Sequence, residues 1–142
     1  MPNPSDSATV QPGTVPASAL QPAAPGSVSV IYGKRRTRVV LSGEVDAVLA
    51  PDLRQAAADA EAAGQPVEVD VRHVTFMDST GVAFLARAAA RCPGRLLLVQ
   101  PPDAVRFLLE VTAIRPLVDV VDEPPAAPWG PGPDGEGPDL VA

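Results

Sequence analysis

Val67-Glu68-Val69-Asp70-Val71-Arg72-His73-Val74-Thr75-Phe76-Met77-Asp78-Ser79-Thr80-Gly81-Val82 changes its apolar period partway along. Up to Val71 every second residue is apolar, which predicts a strand ending near Arg72. Thr75-Phe76-Met77 then leads into a loop at Asp78. From Val82 onward Leu85, Ala86 and Ala89 form the i, i+3, i+4, i+7 stripe of a helix, which Pro93-Gly94 ends. A strand that hands over to a helix through a short polar loop is half of a crossover unit, and such units build parallel sheets.

The same pattern extends in both directions. Upstream, Val28, Val30 and Tyr32 alternate with Ser27, Ser29 and Ile31, and a turn through Gly33 leads to the apolar run Val39 to Leu41. This predicts a β-hairpin. Leu53, Ala56, Ala57 and Ala60 then recur at helical spacing, opened by Pro51 and closed by Gly64. Downstream, Leu96 to Val99 is a short buried strand. Pro101-Pro102-Asp103 opens a third helix with Val105, Leu108 and Leu109 inward, its face extending to Thr112, and Val118 to Val121 is the last strand. The order β-β-α-β-α-β-α-β predicts an α/β domain with a mixed sheet of four to five strands. Right-handed crossovers place the helices mainly on one face.

The 142 residues suit one domain, and a hydrophobic share of 46% is enough for its core. Of 18 prolines, six lie in residues 1–26 and six in 124–142, so the predicted organisation is a Pro/Ala/Ser-rich disordered tail, a domain over 27–123 and a Pro/Gly-rich disordered tail. Trp129 is the one feature of the second tail able to anchor anything; the tails read as linkers. All 11 basic residues lie between Lys34 and Arg115, against 13 acidic residues from Glu44 to Glu123, a net of −2 within the domain. A total charge of −6 argues against a nucleic-acid groove, which needs clustered cations. Lys34, Arg35, Arg36 and Arg38 form the sole basic cluster and read as a solvated hairpin turn.

With a single cysteine, Cys92, no internal disulfide is possible; with a single histidine, His73, a metal site has little support, and no cofactor is implied. A reducing, cytoplasmic setting fits this composition. No run approaches the roughly 20 apolar residues of a membrane span, and the first residues lack the basic start and apolar block of a secretion signal.

Asp78-Ser79-Thr80-Gly81 places two hydroxyls and a carboxylate where strand meets helix, and three readings of it compete. Asp78 or Ser79 can simply cap the helix, accepting hydrogen bonds from its first amides. Ser79 as a nucleophile lacks an assembled triad, since the lone histidine lies six residues upstream in the same loop; Met77 also replaces the first glycine of a G-x-S-x-G elbow. Third, Ser79 can accept a phosphate, which would meet free amides and the positive end of the helix dipole. The added charge of about −1.5 to −2 would alter a docking surface around that loop.

Val39-Val40-Leu41-Ser42-Gly43-Glu44-Val45-Asp46 together with Val74-Thr75-Phe76-Met77-Asp78-Ser79-Thr80-Gly81-Val82 resembles a STAS domain, and more narrowly the bacterial anti-sigma-factor antagonists. The resemblance covers roughly residues 27–123, and the x-M-D-S-T-G motif is its more specific part. It implies a STAS-like fold and a protein-binding switch that is not an enzyme. Unphosphorylated, such a protein binds an anti-sigma factor with serine kinase activity and so releases a sigma factor for transcription; a serine phosphatase reverses the modification. The family's phosphoacceptor maps to Ser79, with Asp46, Asp78, Thr80 and Gly81 on the partner-binding surface. Asp46 also reads as a turn or helix-capping carboxylate. A free monomer is implied. The alternative is a non-switching STAS subunit of a stress-signalling scaffold or lipid-transport complex. One departure stands out: the family often has a glycine between the third helix and the last strand, where this chain has Thr112-Ala113-Ile114.

Overall fold

A computed structural model describes residues 25–123. Strand β1 (Ser27–Tyr32) pairs antiparallel with β2 (Thr37–Val45) through a tight turn in which the Gly33 amide donates to the Arg36 carbonyl at 3.0 Å. Then come α1 (Ala50–Ala63), β3 (Val67–Met77), α2 (Ser79–Arg91), β4 (Leu96–Val99), α3 (Asp103–Val111) and β5 (Val118–Val121), with 3-10 turns at Ala47–Leu49 and Arg115–Leu117. The five strands lie side by side in sequence order, and β2 to β5 are parallel. Three crossovers step the same way along the sheet, and with the right-handed connection that parallel strands adopt this places the helices on one face, over one shared core. The expected α/β fold is the observed one.

Alternation sorts the sheet. Val39, Leu41, Val45, Val69, Val71, Leu96, Leu98 and Val118 point into one core with Leu53, Ala56, Ala57 and Ala60 of α1, Phe84, Leu85 and Ala88 of α2, and Val105 and Leu109 of α3. Burying each large apolar side chain contributes about 1.5–3 kcal/mol. Two expectations need correction here. The deepest line of α2 is Gly81, Phe84, Leu85 and Ala88, with Val82, Ala86 and Ala89 flanking it. Thr112 is exposed and ends α3, its Oγ1 donating back to the Leu108 carbonyl.

Strand β3 continues to Met77 rather than ending near Arg72. Its register with β2 slips twice: Val40 pairs with Asp70 but Ser42 with His73, and Gly43 pairs with Val74 but Glu44 with Phe76. At each slip β3 carries one extra residue, so its inward residues Val71, Val74 and Met77 are spaced by three and the period-two pattern disappears. Gly43 sits at the second slip with φ +72, a conformation that only glycine adopts without cost.

The basic cluster at the hairpin is not uniformly solvated. Lys34 and Arg35 are exposed, but Arg36 and Arg38 both pair with Glu68, whose side chain is fully buried, and Arg38 is itself buried. Pro25 and Gly26, at the end of the expected first tail, lie beside the turn after β2, with Gly26 against the Glu44 carbonyl. The rest of both Pro-rich tails, Trp129 included, lies outside the described residues.

Candidate functional site

The parallel pairing of β2 and β3 sets their carboxyl ends side by side, with Val45 opposite Met77. The Asp78 amide donates to the Val45 carbonyl at 3.2 Å, so Asp46 and Asp78 leave neighbouring strand ends together. Each carboxylate caps the helical turn next in the chain. The Asp46 carboxylate accepts from the Val48 amide at 3.1 Å and starts the 3-10 turn into α1. The Asp78 carboxylate accepts from the Thr80 amide at 2.8 Å and starts α2. Both residues have extended backbone at the cap, as side-chain capping requires. Two motifs separated by some thirty residues thus become one surface at the end of the sheet.

Asp78 is the N-cap of α2, and Ser79 is its first helical residue and exposed. The Ser79 hydroxyl is therefore not needed to hold the helix start. The amides beyond it are already occupied: Thr80 by the Asp78 carboxylate, and Gly81 and Val82 by the Asp78 carbonyl at 3.1 and 3.2 Å. The expectation that a phosphate on Ser79 would meet free amides of these residues does not survive this geometry.

Thr80 is half-buried, whereas Gly81, expected on the partner-binding surface, is buried. A Cβ at Gly81 would collide with Met77 Cγ. Met77 and Gly81 thus form a knob and notch that seat α2 on the end of β3, which explains both ends of the Met77-Asp78-Ser79-Thr80-Gly81 motif. Any effect of Gly81 on docking is exerted through this packing.

Beside Ser79 runs a groove between α1 and α2, lined by Ala50, Leu53, Arg54 and Ala57 on one wall and Ser79, Thr80, Ala83, Phe84 and Arg87 on the other. It is open because alanines occupy facing positions where larger side chains would fill the space. Arg87 is held at its far end by Glu61, with Nε to carboxylate at 2.5 Å and a second bond at 3.1 Å, and this pairing keeps the Glu61 carboxyl below its ordinary range. Val48, between the two caps, is 89% exposed. It lies outside that groove, beside Pro25, Gly26, Glu44, Asp46 and Leu49. Sequence reading missed Arg54 and Phe84 as lining of the groove, which no local pattern marks.

His73 lies within β3 opposite Ser42, four residues before the strand ends at Met77, and is exposed. Among the described residues no group of three His, Cys, Asp or Glu is arranged to hold a metal ion, and no helix is long and apolar enough to cross a membrane.

A family model described as "Mlab, STAS domain" matches residues 32–119. Among solved structures, an anti-sigma factor antagonist from Mycobacterium paratuberculosis superposes with a TM-score of 0.61 and 26% identity, covering 68% of this chain and 85% of that one. The unphosphorylated form of the anti-sigma factor antagonist SpoIIAA gives 0.55 and 22%, covering 68% and 90%, a likeness of fold. No curated protein sequence matches significantly.

Proposed function

We propose that this chain, which belongs to the STAS domain family, is an anti-sigma-factor antagonist whose docking surface is switched by phosphorylation of Ser79. The observation that carries the reading is the convergence of Asp46, Asp78 and an exposed, structurally dispensable Ser79 at the mouth of an open groove. A hydroxyl with no capping duty can be modified without unfolding the helix it begins. The likeness to the mycobacterial anti-sigma factor antagonist supports the class of partner.

In this reading the unmodified surface binds an anti-sigma factor with serine kinase activity, and the chain itself catalyses nothing. The partner kinase transfers the γ-phosphoryl group of ATP to Ser79 Oγ, the bond to ADP breaks, and the hydroxyl proton leaves to a base of the kinase. The new charge then ends docking. A serine phosphatase restores the hydroxyl with water. Residues 27–123 carry this activity in the cytoplasm, with the Pro-rich segments as linkers and the free protein as a monomer.

Incubation with the kinase and ATP, followed by peptide mass spectrometry, tests the acceptor: one phosphate on Ser79 is expected, and a phosphate confined to Thr80 refutes it. The second reading compatible with a STAS domain is a fixed, non-switching subunit of a stress-signalling scaffold or lipid-transport complex. That reading predicts a partner affinity unaffected by phosphate at Ser79.

A further inference from the structure

The capping geometry creates a charge problem that one side chain is placed to solve. A phosphate on Ser79 would stand among Asp78, which caps the same helix, and Asp46, whose strand end adjoins it. The amides of Thr80, Gly81 and Val82 already have acceptors within the turn. A dianion there is stabilised by a cation reaching it from another element.

Two cations share the groove with Ser79. Arg87 lies two turns further along α2 and is engaged by Glu61. The Arg54 side chain has no ion pair or hydrogen bond among the described residues and is exposed on the wall facing Ser79. The axes of packed helices lie about 8–10 Å apart, a gap that an extended arginine crosses. Its planar fork suits two oxygens of a phosphate at once.

We propose that Arg54 is the internal receptor of the Ser79 phosphate: modification draws its guanidinium across the groove, and the bridge covers the apolar floor of Leu53, Ala57 and Phe84. This rests on the reading of Ser79 as phosphoacceptor and deepens it. Phosphorylation then blocks docking twice, by adding charge at the rim and by closing the groove behind it. Arg54 acts as a positioning residue and takes no part in phosphoryl transfer.

The test uses full-length chain with phosphoserine installed at position 79 during synthesis, so that no kinase enters the measurement. The second ionisation of the phosphate, near pH 6 when unperturbed, is followed by phosphorus NMR. Asp46 and Asp78 raise it and a paired arginine lowers it. The expected result is a value roughly 0.5–1 unit lower in wild type than in Arg54→Gln, with Arg91→Gln, at the far end of α2, matching wild type. Equal titration of wild type and Arg54→Gln overturns the proposal. An equal shift in Arg91→Gln also overturns it, because that outcome is a diffuse field and not a bridge. Failure of the kinase to label Ser79 in the unmodified chain would instead sink the phosphoacceptor reading, and the two failures are read in separate experiments.

Discussion

Replacing Ser79 with alanine and Asp78 with alanine should separate switching from stability, two properties that sequence places on adjacent residues. The Asp78 carboxylate makes the capping bond to Thr80 at 2.8 Å, so Asp78→Ala leaves that amide without its partner at a half-buried helix start. Loss of such a cap costs about 1 kcal/mol, within a range of roughly 0.5–2. For a domain of this size that corresponds to a fall in Tm of about 4–8 °C. Ser79 makes no such bond and is exposed, so Ser79→Ala should stay within roughly 0.5 kcal/mol of wild type. In labelling by the kinase the order reverses. Ser79→Ala removes the acceptor oxygen and should abolish phosphorylation, whereas Asp78→Ala keeps the hydroxyl and should still be labelled, at a lower rate because it also removes a carboxylate of the docking surface. Thermal unfolding and labelled ATP on the same two proteins give both readouts. A Ser79→Ala protein that loses more than about 1 kcal/mol would mean that the serine, not the aspartate, holds the helix start. Full labelling of the same protein would move the acceptor to Thr80.

Three further outcomes are expected from particular contacts. Gly81→Ala should destabilise by roughly 1–3 kcal/mol because its methyl collides with Met77, and much of that loss should vanish in a Met77→Ala background; additive losses in denaturant titrations would remove the knob-and-notch explanation. Ala113 holds the left-handed conformation at φ +61, so Ala113→Gly should stabilise the domain by about 0.5–1 kcal/mol, and an unchanged or lower midpoint would refute the strain argument. Burial of Asp70 acts to raise its carboxyl, but the hydrogen bonds and charge of Arg72 outweigh this and hold it below its ordinary value. Because the folded value is depressed, the pair stabilises the protein above the unfolded carboxylate range, and that contribution is lost as pH falls through the folded value. Carbon-detected NMR titration should show the Asp70 midpoint rising in Arg72→Ala, and no rise would mean that Arg72 is not the stabilising partner.

Ala113 sits in the loop where the family resemblance implies a glycine. Where a glycine is frequent, this chain makes a left-handed turn with an alanine, and the adjoining Ile114 is still buried.

Local chemistry fixed the elements. Alternation at Val67 to Val71, the helical spacing of Leu53, Ala56, Ala57 and Ala60, and punctuation by Pro51, Gly64 and Pro93-Gly94 are properties of neighbouring residues, and the structure keeps all of them. The order of those elements, with the handedness of crossovers, was enough to place Asp78 to Gly81 at a strand's carboxyl end. A hydrophobic period cannot carry the register between strands. The two slips between β2 and β3 lengthen β3 to Met77, align Val45 with it, and so bring Asp46 beside Asp78. The division of labour at the helix start was also tertiary: either Asp78 or Ser79 could cap, and the chain direction leaving β3 gave the amide of Thr80 to the aspartate. The groove, finally, belongs to no segment. It exists because alanines of two helices face each other across a gap that larger side chains would close, which leaves Arg54, without an ion pair among the described residues, opposite Ser79.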